Sequence, residues 1–538
     1  MDAHSARTFF TSEPVRVPAA PRWLGWLEVA LIFAMFSLYA GWPIPDVNEA
    51  HYLAKAKHYW NPSWCQGDLF VDSTDAHQVF FWSFGWLTLF FPLPVVACIG
   101  RVVVNGLLAY SWRRLMKALA PDAGAGPRVL SAVALIIASE YTQLAGEWII
   151  GGIEAKGFAF VGVFLALEAL VRGRWGRMWL WLGLASAFHV LVGGWSAIIC
   201  FGVWLAAGRR QYAFWKMLPY LLACGLLAAP SIYFGLHLAA GAAADTISQA
   251  DQIQYLLRIH HHLNPMMFKV VPITVQLSLF ILYLLINFGW RPTRDAGRLV
   301  GFVIGAALIA LAGYLLWLAL RSHPDLAAKV LRYYWFRLFD FAVPVGIGSL
   351  LVTHFPRLFG AGRRDARTWL AAAAVAAGLM LGYFGWQRAT TTVSRADKYA
   401  ANFPDFLDVC RWAKTHTEPN DLFMVPAAIG TFRFYADRPE VANWKDMPQD
   451  PRSIVEWWRR MIEVHKALPD DPHDPTGGLW RITLGALGTD RLQALAHEFH
   501  ARYVVVVTHW NDMPDDFALP KIDLSRVYHN AHYDVYRF

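Results

Sequence analysis

The sequence predicts an all-α polytopic membrane domain followed by a soluble C-terminal α/β domain. Three observations predict it: apolar segments of bilayer-crossing length recur up to residue 388, basic clusters alternate with them, and the composition changes near residue 389. The chain of 538 residues is 56% hydrophobic and only 16% charged, with 26 Trp, whereas about a quarter of the residues of a soluble domain are charged. That balance excludes a wholly soluble chain.

Segments of roughly 17 to 25 apolar residues suit a bilayer crossing. They lie near 24–42, 93–112, 129–146, 157–171, 178–191, 193–208, 214–238, 269–290, 299–320, 338–356 and 368–387, about eleven spans. Charge tests the count, because Lys and Arg concentrate in cytoplasmic loops. Arg7, Arg16 and Arg22 precede the first span, and Arg113, Arg114, Lys117 and Arg128 follow the second. Arg172, Arg174 and Arg177 follow the fourth, and Arg209, Arg210 and Lys216 the sixth. Arg291, Arg294 and Arg298 follow the eighth, and Arg357, Arg363, Arg364 and Arg367 the tenth. The expected layout is a cytoplasmic tail over 1–22, a polytopic domain over 23–388 with a first outer loop at 43–92, and an extracytoplasmic domain over 389–538. The net charge of +8 then reflects topology, with no nucleic-acid partner. The first span ends in GWPIP without a small-residue cleavage site and reads as an uncleaved anchor. Residues 79–94, VFFWSFGWLTLFFPLP, are apolar, but a crossing there would move every later basic cluster to the other side. An interfacial Trp-rich helix is expected instead.

In the soluble part, FPDFLDVCRWAKTH reads as an amphipathic helix, LFMVPAA as a buried strand, and IVEWWRRMIEVHKAL as a second helix. A Thr489-capped helix TDRLQALAHEFH, the strand RYVVVVTHW and an edge strand HYDVYRF follow. Of five cysteines, Cys65 and Cys410 fall away from the spans, and a bridge between them is open.

The first outer loop carries Asp46, Glu49, Asp68, Asp72 and Asp75 among aromatic residues. A carboxylate beside a low-dielectric boundary costs free energy unless it is paired, hydrated or used. On a helix beginning near Pro45, Asp46 and Glu49 share a face with Tyr52 while His51 points elsewhere; alternatively, Asp46 or Asn48 caps a surface helix. Other outer segments contribute Glu140, Glu147, Glu154 and Lys156, then His189, then Arg258 with His260, His261 and His262, then Arg332, Arg337 and Asp340. Three consecutive histidines do not converge on one ion. Arg258 with imidazoles suits a phosphate headgroup, or the basic loop snorkels at the interface. Glu154 and Lys156, flanked by Gly151, Gly152 and Gly157, either face a ligand or form a surface pair beside packing glycines. His189 donates to a ligand or packs, and Arg332, Arg337 and Asp340 can pair with one another. GxxxxGK[ST], HExxH, CxxC and GxSxG are absent, which removes support for nucleotide hydrolysis, zinc proteolysis and serine catalysis. No cofactor is expected, with a divalent metal as the open alternative.

This arrangement resembles the GT-C class of integral membrane glycosyltransferases. The shared features are an N-inside first span, an acidic first outer loop with Asp46 and Glu49, an aromatic juxtamembrane segment at 79–94, and an outer C-terminal domain. The acidic pair of that class stands here as DVNE, and its proline-bearing entry to the juxtamembrane helix as AHQVFFW. Through VNEAHYLAKAKHYWNPSWCQGD, GGIEAKGFAF, FHVLVGGW and VANWKDMPQD the chain is also similar to a family of bacterial multi-pass proteins of unknown function. The resemblance implies a bacterial inner-membrane enzyme that transfers a sugar, with inversion, from a polyprenyl-phosphate donor in the bilayer to an unknown acceptor. It implies Asp46 as the base, with Glu49 as the alternative. Asp68, Asp72, Glu154, Lys156, His189, Arg258, His260, His261, Arg332 and Arg337 would surround the substrate. The competing reading is a non-enzymatic carrier of a lipid or polysaccharide precursor, or an assembly scaffold. Glu28 and Glu168 lie near span ends rather than at the midplane, which favours outer-face chemistry over transport.

Overall fold

The computed structural model describes residues 22–290, 292–354, 363–465, 484–509 and 519–538. The tail before Arg22, the basic residues Arg291 and Arg357, and the end of the helix expected through Leu468 lie outside the described residues.

In lipid every backbone polar group must be satisfied within the segment, so long apolar runs become helices. They do so at Arg22–Tyr39, Leu93–Leu119, Ala125–Tyr141, Ala155–Val171, Trp175–Phe188, Val190–Ala207, Phe214–His237, Val270–Gly289, Arg294–Leu320, Arg337–Thr353 and Arg363–Thr390. Among the described residues seven helical stretches are long and apolar enough to cross a membrane: Arg22–Tyr39, Leu93–Leu119, Val190–Ala207, Phe214–His237, Val270–Gly289, Arg294–Leu320 and Arg367–Thr390. The chain is a mostly helical, multi-pass membrane protein. The remaining four helices have 14 to 17 residues. Among them Ala155–Val171 is the centre of the bundle, every residue but Phe158 being buried, as an all-round apolar helix requires. Phe160 stacks on Phe341 with ring centres 4.8 Å apart. Glu28 pairs with Arg113 and Arg128, and Glu168 with Arg114 and Arg172, so both carboxylates are consumed by the basic clusters.

The first loop departs from expectation in two places. Its helix starts at Glu49, not near Pro45, and runs to Trp60. The segment 79–94 is not one helix: a short helix Gln78–Ser83 is followed by a 3-10 turn Gly85–Leu89. The Trp60 indole N–H donates to the Phe81 carbonyl at 2.8 Å, and a Cβ on Gly85 would lie 2.9 Å from the Ala56 methyl. The segment therefore bends along the helix Glu49–Trp60, leaving Trp82, Trp86, Phe90 and Phe91 exposed.

The C-terminal region holds a four-stranded sheet of order β1-β2-β4-β3: β1 Phe423–Met424, β2 Tyr503–Val507, β3 Ser525–His529 and β4 Tyr533–Arg537. β1 runs parallel to β2, and β4 antiparallel to β2 and β3. Tyr503, Val505 and Val507 pack with the helix Phe403–His416, while Val504 and Val506 pack with the helix Thr489–Phe499. A strand covered on both faces reads as a continuous apolar run, which explains YVVVV. The expected edge strand HYDVYRF is interior, because Ser525–His529 pairs outside it. Gly488, not Thr489, is the N-cap of the last helix; Thr489 Oγ1 instead accepts the Asp523 N–H at 2.8 Å. Cys65 and Cys410 are both free and buried, so they form no bridge.

Candidate functional site

The first loop and the C-terminal region are joined by an ion-pair seam. Arg433 holds Asp68 at 2.7 and 3.0 Å, Asp446 at 2.8 Å and Glu440 at 3.1 Å. Arg395 grips Asp46 with two bonds of 2.9 and 2.6 Å, and Lys57 reaches Asp437 at 2.6 Å. A planar guanidinium matches a carboxylate with two parallel bonds, so these contacts fix orientation as well as charge. Burial pushes Glu440 up to about 8, with Asp68 and Asp446 adding to it against Arg433. Burial works against Asp446 too, but His51 and Arg433 hold its carboxyl below the usual range.

Beside the seam opens a cavity of about 780 Å³, within the range of small-molecule sites. Its wall draws on the first loop, the Gly146–Trp148 turn, the end of the helix Phe214–His237, residues 254–262 and 332–337, and Lys445–Gln449. Five basic side chains line it: Lys156, Arg258, Arg332, Arg337 and Lys445. Five histidines join them: His51, His77, His189, His261 and His262. Among the described residues no Asp or Glu lines it. Ile232, Leu236 and Leu238 supply an apolar flank.

Acidic partners stand behind some of these cations. Lys156 bridges Glu147 at 2.6 Å and Glu154 at 3.2 Å, Arg337 reaches Glu147 at 3.1 Å, and Arg332 pairs with Asp251. Burial raises Glu154, which Lys156 only partly offsets; against burial, Lys156 and Arg337 hold Glu147 below the usual range. Arg258 and Lys445 differ. Arg258 donates to the Trp444 and Lys445 carbonyls at 2.8 and 3.2 Å, and Lys445 Nζ donates to Asn48 Oδ1 at 2.7 Å. Among the described residues neither has a carboxylate partner. Burial pushes Arg258 down to about 10; burial, then the Arg258 charge, pushes Lys445 down to about 8. Burial also pushes His261 down to about 3, aided by Arg258, and lowers His51 and His262. Burial thus favours the uncharged form of all three rings. The cavity presents uncompensated positive charge with neutral hydrogen-bonding rings around it, a combination suited to an anion.

Of the residues picked from the sequence, Lys156, His189, Arg258, His261, Arg332 and Arg337 meet in this cavity. Asp46 and Glu49 do not line it: both are fully buried, Asp46 under Arg395 and Glu49 under Arg101, whose two bonds are each 2.6 Å. Glu49 also accepts the Asp46 and Ile153 N–H groups at 2.7 and 2.9 Å. With their oxygens engaged, these carboxylates hold the loop to its neighbours rather than face an acceptor. Asp68 belongs to the seam. Asp72 binds the Gly67 N–H at 2.8 Å and His58 at 3.1 Å, and Glu154 sits behind Lys156. His260 turns to the Leu257 carbonyl at 2.8 Å. The mutual pairing open to Arg332, Arg337 and Asp340 does not occur; Asp340 accepts backbone N–H groups of Leu144, Ala145 and Glu147. His51 lines the cavity together with Tyr52, contrary to the helical-wheel expectation, because the cavity is wide enough to border two adjacent helical positions; Asp46 stands outside the helix, which starts at Glu49. Sequence reasoning missed His77, Lys445 and Gln449. Lys445 lies in VANWKDMPQD, a segment singled out only for likeness.

A family model described as a domain of unknown function (DUF6798) matches residues 404–464. The match takes in Arg433, Glu440, Lys445, Asp446 and Gln449, the part of the C-terminal region that forms the seam and closes the cavity. No match to a curated protein was found for the chain. Fold and site together define a class: a multi-pass membrane protein with a cation-lined cavity between its first loop and its C-terminal domain.

Proposed function

We propose that this protein is a bacterial inner-membrane transferase of GT-C type, with about eleven spans, that takes a sugar from a polyprenyl-phosphate donor in the outer leaflet. The observation that carries the reading is the 780 Å³ cavity with five Lys or Arg, no lining carboxylate and an apolar flank. Positive charge without a protein counter-ion calls for an anionic ligand, and among the described residues Arg258 and Lys445 are the two lining cations without a carboxylate partner. A phosphate there gains charge as the sugar departs, and fixed cations stabilise that gain in the transition state. The apolar side chains of Ile232 and Leu236 suit the start of a prenyl chain. The N-terminus is cytoplasmic in this reading, and the cavity opens on the opposite side.

The test is binding and turnover of radiolabelled polyprenyl-phosphate sugars by the full chain in lipid nanodiscs. Arg258→Ala and Lys445→Ala are each expected to weaken donor binding by about tenfold or more, the loss of one charge-assisted contact of about 1.5 to 3 kcal/mol. Absence of donor binding across a broad panel would overturn the reading in favour of a carrier of another precursor or an assembly scaffold.

A further inference from the structure

With Asp46 and Glu49 enclosed in ion pairs, the proton acceptor of the cavity must come from elsewhere. Two lining histidines are backed by buried carboxylates. His51 Nδ1 lies 3.1 Å from Asp446 Oδ1, but Asp446 is already engaged by Arg433 at 2.8 Å and by Asn443 at 3.1 Å. His51 is also packed against Phe70, ring centres 4.5 Å apart. His77 is placed differently. Asp75 Oδ1 accepts its backbone N–H at 2.7 Å and lies 3.0 Å from its Nδ1, and no guanidinium touches Asp75 among the described residues. The nearby Lys55 ammonium is directed at Ser73.

The carboxylate selects the ring tautomer. Gln449, whose Oε1 accepts the Ala76 N–H at 3.0 Å, also brings its Nε2 donor 2.9 Å from Nδ1; that neutral amide would donate to a bare Nδ1, but a bare Nδ1 would set its lone pair against the ionised Asp75 oxygen at 3.0 Å, and the charged partner takes the proton. Burial works against that ionisation, yet the bonds from the His77 ring and backbone and the Lys55 charge hold Asp75 below the usual carboxylate range. Nδ1–H therefore points to Asp75, which leaves Nε2, 3.4 Å from the Tyr52 hydroxyl, as the atom that would take a proton on a ring lining the cavity. The His189 ring faces it at 5.7 Å.

We infer that His77 and Asp75 form the proton-accepting dyad of this cavity, His77 acting as base through Nε2 and Asp75 as its positioning residue. For its substrate the inference rests on the transferase reading. The acceptor O–H bond breaks, its proton passing to Nε2, while its oxygen bonds the anomeric carbon. The bond from that carbon to the phosphate oxygen breaks, its electron pair leaving on the phosphate beside Arg258 and Lys445. A carboxylate behind the imidazole stabilises the imidazolium that results.

The experiment labels the full chain in nanodiscs with diethyl pyrocarbonate, which acylates an unprotonated imidazole, and reads each histidine by mass spectrometry. His77 is expected to react faster than the other lining histidines, to slow several-fold in Asp75→Asn, to recover in Asp75→Glu, and to be protected by polyprenyl phosphate. Where a donor turns over, Asp75→Asn should lower kcat by roughly 100-fold, shift the acid limb of the pH profile and leave KM unchanged. An unreactive His77, or a His77 rate unmoved by Asp75→Asn, overturns the dyad. Full turnover in His77→Gln overturns it while the transferase reading stands. If no donor binds, the transferase reading falls and the labelling alone decides the dyad.

Discussion

Replacing Arg433 by methionine should release the C-terminal domain from the first loop. Arg433 is 2% exposed and its guanidinium contacts three carboxyl groups, Asp68 through two hydrogen bonds, Asp446 through one and Glu440 as an ion pair at 3.1 Å. Methionine keeps much of the volume but leaves Asp68 and Asp446 buried without that charge, and breaking a buried pair from one side costs about 3 to 5 kcal/mol. Protonation of one orphaned carboxyl recovers part of this, so a net loss of about 3 kcal/mol is expected. At about 1.4 kcal/mol per tenfold, the open form becomes roughly a hundredfold more populated. The assay is limited trypsin cleavage at Arg395 and Lys398, between the last long helix and the domain, where the rate follows the open population when reclosing is fast. Arg433→Lys, which keeps charge without the fork, should fall between. A cleavage rate in Arg433→Met within twofold of wild type would refute the account of the seam.

Four further outcomes are expected. Glu440 is raised from the ordinary 4.5 to about 8, so its contribution is fully present below 4.5 and is lost as pH rises through about 8; Glu440→Gln should flatten the rise in trypsin cleavage between about pH 6 and 9. Lys445, at about 8, loses its charge on the alkaline side, so polyprenyl-phosphate binding should weaken above that pH in wild type and not in Lys445→Arg, measured by radioligand titration. Asp46→Asn and Glu49→Gln should each lower stability by about 3 kcal/mol, read as Tm, while phosphate-lipid affinity at a permissive temperature stays at the wild-type value. Gly152→Ala should cost about 1 to 3 kcal/mol by overpacking, since its Cβ would lie 2.7 Å from Glu49 Cγ and Oε1; an unchanged Tm would contradict that contact.

The helices were legible because lipid imposes a single local rule on each apolar segment, and β2 because YVVVV is covered on both faces. The edge position of Tyr533–Arg537 was misjudged because pairing on its outer side depends on Ser525–His529, whose exposed residues carry no apolar signature. Part of the cavity lining was legible as well: Arg258, Arg337 and Lys156 stood out as charges beside apolar segments. The roles of Asp46 and Glu49 were not, since both turn on Arg395 and Arg101, distant in sequence, and no local pattern says which acid meets which base. His77 was hidden for the same reason. Its distinction from His51 rests on whether the carboxylate behind it is shared with Arg433.

The seam also sets a schedule. Asp46 meets Arg395 across 349 positions, and Asp68 meets Arg433 across 365. At a synthesis rate of about 5 to 20 residues per second, the acidic loop exists for roughly 20 to 70 s before its partners are made. During that interval Asp46 and Asp68 must stay hydrated or protonated, and Phe70 lacks the Arg433 guanidinium that covers its ring. A newborn chain of this protein therefore carries its first loop half-finished, Asp46 and Asp68 without their guanidinium partners, until the ribosome has passed residue 433.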